Sequence, residues 1–401
     1  MPFKKKTFIC PYCFEEPTLA TVEFCCTNPR CKNDVPDIPK TRYEMGDLNM
    51  PMKGKIHFSN PSGNAASKSA LCPECNKESY KIVCPECHNA LPESTLLGRD
   101  MIISIVGARG AGKSHFVGVI IHELINRISV EFGGAMERWD DTGKRYEQIF
   151  GHHLYSDLRK LDMTRSAQSA DSAAFKPLIY TLRLKNKKIF GESIESFTFV
   201  FFDTAGEDLN EQVDTMSHVN KYICKSAGII FLLDPMQISA VVHQLDKDTV
   251  KRASAHESMV TRSDEIITSV STLIRRDRRM KDSQRINVPV AAVFSKFDAI
   301  ESIIPQGTTI REPSPHCNVG HLVLQDSQNV HDEVKSLLRG WEESSFIANV
   351  ETHYENHSYF VVSSLGLDNN PQGDKIQRPK PHRIEDPLLW ILNKNGVVKG
   401  K

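Results

Sequence analysis

The sequence predicts an α/β fold, three layers built on a mainly parallel sheet, preceded by two small cysteine-rich modules. Three observations carry this expectation. The apolar run Met101-Ile-Ile-Ser-Ile-Val106 reads as a strand buried on both faces. The turn Gly107-Ala-Arg-Gly-Ala-Gly112-Lys113-Ser114 joins it to a helical stripe of Phe116, Ile120, Ile121, Leu124 and Ile128. Nine of the 11 cysteines fall before residue 90, several as Cys-x-x-Cys pairs.

A chain of 401 residues exceeds one ordinary domain. The expected boundaries are a first metal-binding ribbon at 1–40, a linker at 41–70, a second ribbon at 71–97 and the α/β domain at 98–401. The linker reading rests on the turn-rich run from Asn60 to Ser67. Lys plus Arg and Asp plus Glu number 50 each, so no global field draws the chain to nucleic acid or anionic lipid. No apolar stretch approaches the ~20 residues of a spanning helix, and the start Met-Pro-Phe-Lys-Lys-Lys lacks the apolar core of a secretory signal. A soluble, cytoplasmic protein is expected.

A reducing compartment favours metal over disulfides as the role of the cysteines. Cys10 and Cys13 form one hook, and Cys31 with either Cys25 or Cys26 forms another. Cys26 is preferred because it leaves a four-residue knuckle to Cys31. This first cluster is expected to hold one zinc ion, and Cys72, Cys75, Cys84 and Cys87 a second. A short stretch with few apolar residues needs such a staple. Zinc ribbons are docking surfaces for protein or nucleic acid, and the residue types here do not choose between them. Cys224 and Cys317 stand alone and read as buried apolar residues.

In the glycine-rich turn, backbone N–H groups can wrap phosphate oxygens, assisted by the dipole of the following helix. The expected contacts are Gly107, Arg109, Gly110, Ala111, Gly112, Lys113, Ser114 and His115, with Lys113 reaching the β- and γ-phosphates and Ser114 ligating Mg²⁺. The strand candidate Phe197–Phe202 runs into Asp203-Thr-Ala-Gly206-Glu207. Asp203 is placed to hold Mg²⁺ through water, and the Gly206 N–H to meet a γ-phosphate. Leu178–Leu184 reads as the adjacent strand, with a turn at Asn186-Lys-Lys.

Two more strands, Gly228–Leu233 and Val288–Phe294, precede Ser295-Lys296-Phe297-Asp298. An aspartate there can accept from guanine N1–H and N2–H₂, which adenine lacks, while the Lys296 stem covers the ring. The strand Tyr359–Val362 leads to Ser363-Ser364-Leu365-Gly366, whose backbone can meet guanine O6.

Taken in order, Gly107–Ser114, Asp203–Gly206, Ser295–Asp298 and Ser363–Gly366 resemble the G motifs of TRAFAC-class P-loop GTPases. The resemblance covers about residues 98–366 and implies a P-loop NTPase (Ras-like GTPase) domain binding GTP/GDP with Mg²⁺ and acting as a molecular switch. With the ribbons and the ending Arg383–Leu392, the chain resembles the bacterial double-GTPase-like proteins. That resemblance implies protein partners in a multi-component conflict or antiviral defence system.

Several positions depart from the pattern. Ser295 stands where Asn or Thr is common, but can still hydrogen-bond the P-loop. Glu207 replaces the glutamine that orients water, and a carboxylate near the γ-phosphate predicts slow hydrolysis. Arg109 replaces a glycine, and could block a partner's arginine finger, act as a cation in cis, or simply face solvent. The switch residue completing Mg²⁺ coordination is assigned to Thr164, with Ser166 and Ser169 as alternatives. The alternative functions are a nucleotide-locked scaffold with negligible turnover and an ATP-using P-loop enzyme.

Other signals read as structural. Arg275–Lys281 ends a helix opening with Asp264-Glu265, a polarity that suits the macrodipole. His152-His153 lacks a matching ligand at helical spacing. Asp386-Pro387 is expected to cap a C-terminal helix that docks Leu388, Leu389, Trp390 and Leu392, an exposed Trp390 being the sign of a partner site instead.

Overall fold

The computed structural model describes residues 6–32, 34–45, 50–59, 68–97, 99–161, 176–188, 191–202, 217–247, 249–250, 263–366 and 374–401. In the N-terminal region three short strands, β1 (Glu23–Cys25), β2 (His57–Ser59) and β3 (Lys81–Val83), form an antiparallel sheet with β1 central. Helix α1 (Ile38–Glu44) is capped by Asp37, whose side chain accepts from the Lys40 amide, and has Pro39 in its first turn.

The α/β domain is built on seven strands among the described residues: β4 (Asp100–Gly107), β5 (Gly134–Arg138), β6 (Leu178–Lys188), β7 (Gly191–Phe201), β8 (Gly228–Leu233), β9 (Val290–Phe294) and β10 (His357–Val361). Their order is β10-β9-β8-β4-β7-β6-β5. From β10 to β7 all pairings are parallel, while β6 runs antiparallel to both β7 and β5. In β8 and β9 every residue is buried, which requires helices over both faces and explains the continuous apolar runs.

Two expectations on this sheet are corrected. The β6–β7 ladder continues past Asn186 to Lys188 opposite Gly191, so no turn lies at Asn186-Lys-Lys. Strand β5, which lies in the stretch left unassigned between the P-loop helix and β6, extends the sheet by one edge strand. Its sequence Gly-Ala-Met-Glu-Arg buries only Met136, too little apolar alternation to announce a strand.

Helix α2 (Lys113–Glu123) follows the glycine-rich turn and passes into a π-helical stretch at Leu124–Ile128. All five residues of its predicted stripe are buried. Three further helices are α3 (Ser217–Cys224), α4 (Ser263–Arg278) and α5 (Leu324–Gly340), and α6 (Asp386–Lys394) closes the described fold. In α4, Arg275 and Arg278 each donate to a main-chain carbonyl, of Gln284 and Cys224, so these two arginines are bound within the fold.

Helix α6 docks as expected, with Leu388, Leu389, Trp390 and Leu392 all buried. Its cap differs from the expectation. Asp386 lies inside the first turn, Glu385 holds the cap position but its side chain caps no helix amide, and the Asp386 carboxylate instead takes the Arg383 guanidinium at 2.6 Å. Cys224 and Cys317 are buried, and burial pushes both thiols up to about 12. Among the described residues no helix is long and apolar enough to cross a membrane.

Candidate functional site: a P-loop, a base-side carboxylate and two cysteine clusters

The glycine-rich turn is set by β4, which stops at Gly107 beside Leu232 of β8. Gly110 and Gly112 have φ of 78° and 82°, the left-handed region that other residues enter at a cost, and they curl the turn so that α2 starts at Lys113. A Cβ at either glycine would meet nothing within 4 Å, so the turn faces open space. Lys113 is buried and lies back over the turn, its Nζ donating to the carbonyls of Gly107 at 2.8 Å and Ala108 at 2.9 Å. Ala111 is buried, Arg109 is exposed at the tip, and Ser114 is half-buried one residue into the helix. His115 accepts from the Leu161 amide at 3.2 Å. Burial, then the charges of Lys160 and Lys296, lower its imidazole to about 4, so it is neutral at pH 7.

The base-side motif follows β9. Ser295 is buried, and its hydroxyl donates to the Leu233 carbonyl at 3.0 Å. The expected hydrogen bond from Ser295 to the P-loop is therefore corrected: the short side chain is taken by the neighbouring strand end. Lys296 has φ of 53°, and its ammonium pairs with Asp234 at 2.6 Å. Asp234 was legible only as the end of β8, because its partner lies 62 residues further on.

Asp298 accepts from the Ser363 hydroxyl at 2.6 Å, which brings the two predicted base-contacting motifs together. Burial raises its carboxyl above the usual range, against the lowering effect of that hydrogen bond. Ser363 also accepts from the Gly366 amide at 2.9 Å, folding Ser363–Gly366 into a tight turn with half-buried Ser364 and Leu365 at its apex. Gly366 has φ of 104° and lies against the Lys380 carbonyl, where a Cβ would clash.

Residues 380–383 brace this turn from behind. Ser363 and His382 exchange backbone hydrogen bonds, and His382 stacks on Phe297 with centroids 5.1 Å apart. Arg383 is 2% exposed, and its guanidinium meets Asp326 and Asp386 and the carbonyls of Thr309 and Glu312. Sequence reasoning missed this brace, since a lone arginine carries no local sign of burial. Asp203, Gly206 and Glu207, and Thr164 with its alternatives Ser166 and Ser169, lie outside the described residues.

The cysteines converge in two groups, Cys10, Cys13, Cys84 and Cys87, and Cys26, Cys31, Cys72 and Cys75. These are the eight expected ligands, but the expected pairing in sequence order is corrected. The first hook meets the last, with Cys10–Cys87 at 3.7 Å and Cys13–Cys84 at 3.9 Å. The second meets the third, with Cys26–Cys75 at 3.7 Å and Cys31–Cys72 at 3.9 Å. Residues 1–40 and 71–97 therefore do not each carry a cluster of their own. β1 between β2 and β3 enforces this nested pairing, because its ladder holds residues 23–25 against 57–59 and 81–83 at once.

Sulfurs about 2.3 Å from a tetrahedral zinc stand about 3.8 Å apart, so both clusters fit such an ion. Three hooks share one backbone turn. Phe14, Asn76 and His88, each following the second cysteine, have φ of 57°, 52° and 51°. Their amides donate to the carbonyls of Cys10, Cys72 and Cys84. Donors also reach sulfur, from the Tyr12 amide to Cys10, the Glu86 amide to Cys84 and the Asn89 side chain to Cys87. Cys25 lies outside both clusters, its thiol directed at the Cys26 carbonyl.

The first hook also joins the sheet domain. Phe14 packs on Phe202 and Tyr222, Glu15 and Glu16 pair with Lys221 and Lys225 on and just after α3, and the Ile9 amide donates to Asp100 at the start of β4.

Residues 101–377 match the Double-GTPase 2 family. Over 348 residues the chain is 25% identical to the putative ESX-1 scaffolding and assembly protein SaeC of Mycolicibacterium smegmatis, the match covering 82% of this chain and 80% of that one. With the family match spanning the glycine-rich turn at Gly107–Ser114 and the Ser295–Asp298 and Ser363–Gly366 segments, the chain belongs to the Double-GTPase 2 family.

Proposed function

We propose that this chain binds GTP with Mg²⁺ and hydrolyses it slowly to reset a conformational switch, while its N-terminal region holds zinc in both cysteine clusters and docks protein partners. The observation that carries the guanine reading is Asp298, a largely buried carboxylate held by Ser363 at the end of a central strand. Its carboxylate suits the paired N–H groups of guanine, whereas adenine offers it no such pair. On this reading Lys113 would leave the Gly107 and Ala108 carbonyls for the phosphates, and Ser114 and Asp203 would hold Mg²⁺, whose charge would offset that developing on the transferred phosphoryl. A carboxylate at Glu207 in place of glutamine would slow water attack by repelling the γ-phosphate charge. Arg109 at the turn's exposed tip would block a partner's arginine finger or act as a cation in cis.

The test is calorimetric titration of metal-replete protein with non-hydrolysable GTP and ATP analogues, repeated with Asp298→Ala. GTP binding that is selective over ATP and falls by at least 100-fold in the variant supports the proposal. Equal binding of both nucleotides overturns it in favour of an ATP-using enzyme.

A second reading is a nucleotide-locked scaffold, favoured by the scaffolding and assembly role in the relative's name. Single-turnover hydrolysis separates the two, since a scaffold leaves bound GTP intact. Membership of a multi-component conflict or defence system rests on the sequence resemblance, and co-purification of partner chains from the native host tests it.

A further inference from the structure

Among the described residues outside the proposed nucleotide site and the cysteine clusters, two groups of side chains have metal-ligating atoms close together: Asp37, His57 and His88, and His316, Asp326 and Asp386. In the second, the Arg383 guanidinium already lies between the two carboxylates, so the protein supplies the cation itself. The first contains no such group.

Asp37, His57 and His88 meet where three pieces of the N-terminal region converge. Asp37 caps α1, His57 sits on β2 opposite Cys25, and His88 follows the last cysteine hook. His88 Nδ1 is 2.7 Å from Asp37 Oδ1, and its Nε2 is 3.1 Å from Glu23 Oε2. His57 Nδ1 faces the other Asp37 oxygen at 3.6 Å, beyond hydrogen-bond distance, with the imidazole centroids 4.1 Å apart. One carboxylate is thus faced by two ring nitrogens and satisfies only one of them.

We propose that Asp37, His57 and His88 form a third metal site, taking a divalent first-row transition ion such as zinc through the carboxylate and the two Nδ1 atoms. Glu23 acts from behind: accepting from Nε2–H of His88, it turns the Nδ1 lone pair towards the ion, the carboxylate–histidine–metal arrangement of many such sites. Nitrogen and oxygen donors about 2.0–2.1 Å from a tetrahedral ion stand about 3.3 Å apart; to reach that spacing the His57–Asp37 gap of 3.6 Å closes and the His88–Asp37 separation of 2.7 Å opens as the ion takes the place of the shared proton. Three protein ligands leave the fourth position for water or an incoming group, so this ion exchanges more readily than one enclosed by four thiolates.

Metal counting on the full-length protein tests the site. Exchanged into Co²⁺, the wild type is expected to carry one equivalent beyond those that thiolate charge-transfer absorption accounts for, and dipicolinate is expected to remove that equivalent first. His57→Ala loses it and keeps the thiolate bands, and Glu23→Gln weakens it by about 10–100-fold. Cobalt content fully explained by the thiolate bands overturns the proposal, as does an unchanged content in folded His57→Ala. Should the variants not fold, chelator release from the wild type decides: absence of an early-released, thiolate-silent equivalent overturns it equally.

Discussion

The sheet domain buries whole runs of successive residues, such as Ile229–Leu233 and Val290–Phe294, whereas the N-terminal region buries mainly cysteines and a few aromatics around a sheet of three-residue strands. In the first, apolar area removed from water supplies the stabilisation, roughly 25 cal/mol per Å². In the second there is little such area, and the cysteine hooks take the place of a core. The two regions meet at a joint formed by Phe14, Glu15, Glu16 and the Ile9–Asp100 hydrogen bond.

The largest effect should come from removing metal. Structural zinc in small domains is worth about 10–16 kcal/mol, so a strong chelator is expected to make residues 6–97 protease-sensitive while the sheet domain keeps a cooperative melt. Protection of the N-terminal region without metal would break the contrast, showing that its few apolar residues suffice. Next is Phe14→Ala. Phe14 belongs to the sheet domain's core although it sits in a cysteine hook, and its truncation should cost about 3–5 kcal/mol and lower the melting point of the sheet domain. A loss confined to the N-terminal region would mean that the joint transmits nothing.

The smallest effect concerns pH. Burial raises the Asp100 carboxyl to about 7, with the Ile9 amide partly opposing the shift, and Asp100 Oδ1 has no hydrogen-bond partner. An acid raised in the folded state keeps its proton while the unfolded chain has lost its own, so stability falls as pH rises from about 4 to 7. Asp100→Asn retains an acceptor for Ile9 and removes this dependence. Its melting point should gain on the wild type between pH 5 and pH 8, and an equal gap at both values would refute the assignment.

The sheet domain was legible because its signals are local. A strand followed by Gly-x-x-x-x-Gly-Lys-Ser and a helical stripe lies within about 30 residues, and the Ser295–Asp298 motif directly follows its strand. What escaped was long-range. Lys296 pairs with Asp234 62 residues away, Arg383 with Asp326 57 residues away, and Cys10 with Cys87 77 residues away. Spacing identified the hooks but not their partners, since any two fit one tetrahedral ion; the β1 ladder decides, and a strand of three residues leaves almost no periodicity to read.

Zinc filling both nested clusters would also favour an order of assembly. They are nested like brackets: Cys31 and Cys72 of the inner pair are 41 positions apart, Cys13 and Cys84 of the outer pair 71. Once the inner ion is bound, the outer hooks are separated by only two short segments, Cys13 to Cys26 and Cys75 to Cys84, which lowers the entropy of closing the outer loop by about 1 kcal/mol. The inner ion thus raises outer-site affinity by a factor of about five through chain connectivity alone. Cys10 and Cys13, synthesised first, are the last to find their ligand partners.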